Sequence, residues 1–108
     1  VIAGVDWVTT NHTTHPAVAN MSLGGPVSAA LDASVRAAIA DGVVFCVAAG
    51  NSAANASTQS PADVAEAITV GATDSADRWA SFDRPVELRL RTDCREWSSC
   101  VTLLPGFG

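Results

Sequence analysis

The chain has 108 residues, 48% of them hydrophobic, and a formal net charge of −5. That length suits one small domain, and the apolar share supports a packed core in place of disorder. With no basic cluster before Arg84 the chain lacks the electrostatic footprint of a nucleic-acid or anionic-membrane binder, so neither partner is expected, and no apolar run approaches the roughly 20 residues that cross a bilayer.

Val1, Ile2, Val5 and Val8 recur at near-helical spacing up to Thr10, and Asn11 to Pro16 ends the pattern with loop chemistry. The chain begins inside this pattern with no charged leader before it, which predicts a piece of something longer. Ala17 to Leu23 is a short, mostly apolar run closed by Gly24-Gly25-Pro26, the pattern of a buried strand with a sharp exit. Ser28 is placed to cap a helix whose one face carries Leu31, Val35, Ala38 and Ile39. Asp32 lies near the positive N-terminal end of that helix, and Gly42 supplies the stop.

Val43 to Ala49 is continuously apolar, as a central strand covered on both faces must be, and Gly50-Asn51 closes it. A small polar loop from Ser52 to Ser60, a turn from Pro61 to Glu66 and a third strand from Ala67 to Ala72 follow. Strand, helix, strand, strand predicts a parallel sheet with crossover helices. From Asp83 to Glu96, four of the six Arg residues alternate with Leu and Val without a clear period, which sets residues 83–108 apart as a divergent tail.

Cys46, Cys94 and Cys100 show neither the CxxC pairs nor the His partners of a zinc site, so no metal ligand is expected among them. An odd count leaves at least one thiol unpaired in a monomer. A Cys94–Cys100 bridge stays open, and Cys46 is expected to be an inert buried thiol.

Several strings stand in a fixed order: Val1-Ile2-Ala3-Gly4-Val5-Asp6-Trp7-Val8, Pro16 to Gly25, Val43 to Asn51, Ser60-Pro61-Ala62, and Thr69-Val70-Gly71-Ala72-Thr73. Over residues 1–82 the chain resembles the subtilisin-like serine proteases, in particular the proteinase K and aqualysin branch. The resemblance implies an α/β fold, a partial doubly wound parallel sheet in a three-layer α/β/α fragment. It also implies part of a secreted serine endopeptidase that acts on extended peptide or protein substrates.

Alone, Gly-Asn reads as a turn and Gly-Gly-Pro as the end of a strand; the matched context changes both readings. The resemblance implies that the Asn51 amide donates to the oxyanion of the transition state, a contribution of roughly 3 to 4 kcal/mol. It implies that the backbone of Ser22, Leu23 and Gly24 pairs with the substrate as an added strand, with Gly24 and Gly25 leaving room for close approach. Ala48, Ala49 and Gly50 would line the pocket for the side chain before the cut bond.

The family's Asp, His and Ser triad has no counterpart in these residues. Ser22 lacks a nucleophile elbow, the Gly-Thr-Ser-Met-Ala and His-Gly-Thr-His motifs are absent, and His12 and His15 are expected at the surface in a polar loop. Asp6 and Asp41 read as structural helix residues. The chain alone is therefore expected to be inactive and to need the missing segments of its parent. An alternative from another class is a non-catalytic peptide-binding or interaction module on the same fold. A nucleotide-binding domain is set aside for want of a G-x-G-x-x-G or Walker motif. The N-x-S/T strings at Asn11, Asn20 and Asn55 read as chance occurrences, Asn20 above all because it lies in a predicted buried strand.

The departures from the family lie late in the chain. After Ala80-Ser81-Phe82 the family continues with Ser-Asn-Tyr-Gly, whereas here Asp83 to Trp97 intervenes; a frameshift or an inserted loop accounts for it. Thr102 stands where the family's structural calcium has an aspartate, leaving only backbone carbonyls near Ala65 and Ala67, so no cofactor is expected. Ser57 replaces the family's bridging cysteine, which leaves Cys100 without that partner. A sheet cut from a larger domain exposes edges and apolar faces, which predicts self-association.

Overall fold

In the computed structural model, residues 1–72 and residues 75, 76 and 78 are described. The expectations attached to the tail from residue 83, including Cys94, Cys100 and Thr102, lie outside the described residues, as do those for Thr73 and Ala80 to Phe82. Helix α1 spans Ile2–Asn11, one residue beyond the expected end. The Asn11 side-chain amide donates to Trp7 O at 2.8 Å, and the hydroxyls of Thr9 and Thr10 bond back to Val5 O and Asp6 O. Each bond runs from a side chain to the carbonyl four residues earlier, the local back-bonding that Thr and Asn make near a helix end.

Strand β1 (Ala17–Met21) is followed by a two-residue strand β2 (Gly25–Pro26), helix α2 (Ala29–Ala40) and strand β3 (Val43–Ala48). A short 3-10 turn (Ala56–Thr58) leads into strand β4 (Gln59–Ser60), and β5 is Ile68–Val70. Helix α2 starts where expected because Ser28 Oγ accepts from Leu31 N at 3.4 Å. It stops at Gly42, whose φ of +98° is the left-handed conformation that glycine adopts without strain.

The main sheet is parallel with strand order β1-β3-β5. Helix α2 makes the crossover from β1 to β3, whereas β3 reaches β5 through loop, 3-10 turn, β4 and turn with no α-helix. One core joins Val5 of α1, Val35 and Ala38 of α2, Met21, Val43, Phe45 and Val47 of the strands, and Val64 and Ala67 of the last turn. Leu31 and Ile39 pack against it partly buried, so the predicted apolar face of α2 is the one that meets the sheet. Both helices thus lie on one face of the sheet, and two of the three expected layers fall within the described residues.

The expectation that β3 is covered on both faces needs correcting. Its burial alternates: Val43, Phe45 and Val47 are buried, Val44 is 42% exposed, and Cys46 and Ala48 are half-buried. The side chains of a strand alternate between faces, and among the described residues only one face has helices over it. For the same reason Asn20, expected to be buried, is exposed on β1, its amide donating to Ser22 Oγ at 3.1 Å. The free thiol of Cys46 is half-buried on this open side.

Candidate functional site

The C-terminal ends of two neighbouring parallel strands create the site. Met21, the last residue of β1, stands in register with Val47 of β3. Residues 22–24 and residues 49–51 therefore leave the sheet side by side, at the edge where open parallel sheets bind ligands. A groove of about 570 Å³ lies between them, lined by Ser22, Leu23, Gly24, Gly25, Ala48, Gly50 and Asn51 among others. Seven of the eight residues expected at the site thus share one cavity.

Ala49 is the exception: it is 4% exposed and packs with Ala56 and Ala62 in a small second core. Its backbone N–H donates to Val70 O at 2.9 Å, which continues the ladder and turns its side chain under the loop, away from the groove. Gly50 follows with φ +108°, and this left-handed step lets the chain swing out and present Asn51 at the surface. Among the described residues the Asn51 carboxamide has no hydrogen-bond partner, and it is exposed. The backbone of residues 22–24 likewise enters no hydrogen bond outside the sheet ladder among the described residues.

The far wall of the groove was not legible in the sequence. Strand β4 pairs antiparallel with β2, Gly25 opposite Ser60 and Pro26 opposite Gln59. Thr58 and Gln59 thereby face the expected residues across the groove, joined by Pro26 and Ser52. The ribbon is held by a buried polar network. Ser60, 1% exposed, accepts from Ser28 N at 2.7 Å and donates to Oδ2 of Asp32 at 3.0 Å, and Asp32 is 3% exposed. Asp32 lies in the first turn of α2, as the sequence reading has it, and is also the buried anchor that ties the start of α2 to the groove wall.

Asp63 lies beside this network. Burial and the neighbouring Asp32 carboxyl push its pKa above the usual carboxylate range, while Arg36 pulls the other way. Like charges that share a desolvated site disfavour the charged form of at least one of them.

His15 is exposed, as expected, but His12 is not a surface histidine. Its side chain is 9% exposed, its Nε2 lies 2.6 Å from Asp41 Oδ2, and its ring meets that of His15 edge-on at 4.9 Å. This pair clips the C-terminal end of α1 to that of α2, on elements other than those that line the groove.

The sequence and the fold both match known proteins. The family model described as Subtilase family matches residues 1–89. The Alkaline serine exoprotease A of Vibrio alginolyticus is 50% identical over 107 residues, which is 98% of this chain and 18% of that protein. The Extracellular serine proteinase of Thermus sp. (strain Rt41A) is 61% identical over 82 residues, 76% of this chain and 20% of that protein. Among solved structures, a cold adapted subtilisin-like serine proteinase superposes with a TM-score of 0.74 at 49% identity, covering 94% of this chain and 33% of that one. The chain spans about a fifth of the length of these curated relatives.

Proposed function

The chain belongs to the subtilase family, and we propose that it forms the substrate-binding and oxyanion portion of a secreted serine endopeptidase. In this reading an extended peptide lies along residues 22–24 as an added strand. The carbonyl to be cut then sits next to Asn51, whose amide donates to the oxygen as negative charge builds there. An oxyanion donor acts because it is held in place before the reaction and pays no reorganisation when charge develops. Nucleophilic attack and proton transfer fall to an Asp, His and Ser triad supplied by other parts of the parent protein.

The observation that carries the reading is the juxtaposition, across one groove, of an Asn51 amide without a hydrogen-bond partner among the described residues and a backbone at 22–24 that makes no bond there outside the sheet ladder. Secretion is proposed on family grounds, since the Thermus relative is named extracellular. No cofactor is proposed. Thr102 offers a neutral hydroxyl where the family's calcium site uses a carboxylate, and a hard cation prefers the anionic oxygen.

A chimera tests the assignment of Asn51. When this chain replaces the matching 107 residues of the Vibrio relative, peptide hydrolysis is retained. Asn51→Ala in that chimera lowers kcat about 10²- to 10³-fold with little change in KM, as loss of one oxyanion donor does. An active chimera that is indifferent to Asn51→Ala rejects the role.

A further inference from the structure

We infer that Asn51 is a self-modification site: its side-chain amide is hydrolysed spontaneously through a cyclic imide formed with the backbone nitrogen of Ser52, which turns a neutral donor of the groove into a carboxylate. The modification follows from the local structure, whereas its effect on catalysis rests on the oxyanion role proposed above.

The reaction needs a backbone nitrogen after the Asn that is free of hydrogen bonds, so that it can lose its proton and approach Cγ. It also needs a carboxamide free to turn toward that nitrogen, a small side chain on the following residue, and a backbone not locked in a helix or ladder. The reacting atoms must reach a near-attack arrangement, and each bond that holds them elsewhere slows the step.

The chain has four Asn residues, at positions 11, 20, 51 and 55, and three of them fail these conditions. Asn11 ends α1, its amide donates to Trp7 O at 2.8 Å, and the N–H of His12 donates to Val8 O at 3.0 Å. Asn20 lies within β1 in register with Cys46 of β3, its amide donates to Ser22 Oγ at 3.1 Å, and the larger Met21 follows it. Asn55 accepts from Ser57 N at 2.9 Å through its Oδ1, and Ala56, the residue after it, is 4% exposed.

Asn51 meets every condition. Neither its carboxamide nor the N–H of Ser52 has a hydrogen-bond partner among the described residues. Residues 51–54 are exposed and run through bends outside helix and strand. Ser52 is small, and its hydroxyl accepts from Gln59 Nε2, so the bond that holds this loop leaves the attacking nitrogen untouched.

The step balances without a redox partner. Solvent hydroxide removes the proton from Ser52 N, the bond from that nitrogen to Asn51 Cγ forms, and the carboxamide nitrogen leaves as ammonia. Water then opens the imide at either carbonyl, giving aspartate or its β-linked isomer. Both products carry a carboxylate that only accepts hydrogen bonds. A negative charge beside a developing oxyanion raises the barrier that the neutral amide lowers.

The test follows the folded 108-residue chain at mildly alkaline pH by peptide mapping with mass spectrometry, which reads conversion at each Asn separately. Asn51 is expected to convert roughly tenfold faster than Asn11, Asn20 or Asn55. Ser52→Gly accelerates the conversion by freeing the backbone, and Ser52→Val slows it by crowding the nitrogen. In urea, where the bonds that protect Asn11 are gone, the gap between Asn51 and Asn11 narrows. Faster conversion of any other Asn in the folded chain, a rate at Asn51 indifferent to both Ser52 variants, or a gap that persists in urea overturns the inference and leaves the oxyanion reading standing. In the active chimera, Asn51→Asp is expected to lower kcat at least as far as Asn51→Ala does. Full activity of that variant would reject the oxyanion reading and leave the modification in place.

Discussion

Asp63 and Asp32 bring two carboxyl groups into one desolvated site, and each has an Oδ1 that is buried without a hydrogen-bond donor among the described residues. The groups that face Asp63 are Asp32 and Arg36 from α2, and Arg36 also pairs with Glu66 at 3.3 Å on the surface. Arg36 is about half exposed and already engaged, so it compensates the pair weakly. Because the folded pKa of Asp63 is raised, the folded state binds the proton more tightly than the unfolded chain. Its contribution to stability is therefore fully present below about pH 4, the unfolded carboxylate range, and is lost as pH rises through the folded pKa. Asp63→Asn is expected to raise the urea midpoint at pH 8 and to lose that advantage as the pH falls toward 4. Midpoints that shift equally at both pH values would show that the carboxyl charge is not responsible. The position of Asn51 was legible at this scale, since Gly-Asn after a continuous apolar run marks a strand end at a sheet rim. The partners of Asp32 and Asp63 were not, because a single sequence shows no sign of which acidic residues will meet.

Among the elements, α2 was the most legible, with its cap, its apolar face and its glycine stop all written locally. Ser28 Oγ accepts from Leu31 N, and Ser28 N donates to Ser60 Oγ. Only the first bond uses the Ser28 side chain, so Ser28→Ala is expected to cost about 1 kcal/mol, the usual value for an N-cap. Thermal unfolding checks this, and a loss below a few tenths of a kcal/mol would mean that the cap is redundant with the β2/β4 ribbon. The ribbon itself escaped the sequence reading because two-residue strands carry no periodicity to detect. The β3 run was assigned to the right place in the sheet but given cover on both faces, since a continuous apolar run does not say which neighbours are present. The burial of His12 against Asp41 was missed for a related reason: the loop composition around it is polar, while the residue that holds it lies 29 positions away.

At the scale of the molecule, the sheet has one face without helices over it among the described residues. Val18 is 70% and Val44 42% exposed on adjacent strands that pair Val18 with Val44, and β1 is an edge strand among the described residues. Fully burying an aliphatic side chain contributes roughly 1.5 to 3 kcal/mol, so two such residues side by side on the open face, one of them on the edge strand, favour association. The chain is expected to self-associate with rising concentration in sedimentation velocity, and Val18→Lys with Val44→Thr is expected to shift it toward monomer. A wild-type chain that stays monomeric throughout would remove this expectation. The sequence by itself determined the α/β class, the helices and the main strands, and the two glycine-rich exits that flank the groove, because each is encoded by the periodicity and turn chemistry of adjacent residues. Only the tertiary structure decided that Thr58 and Gln59 form the far wall of the groove, that Asp32 anchors that wall through Ser60, and that Ala49 turns inward. Those outcomes depend on residues far apart in the chain meeting in a desolvated space, where packing and hydrogen bonding override local signals.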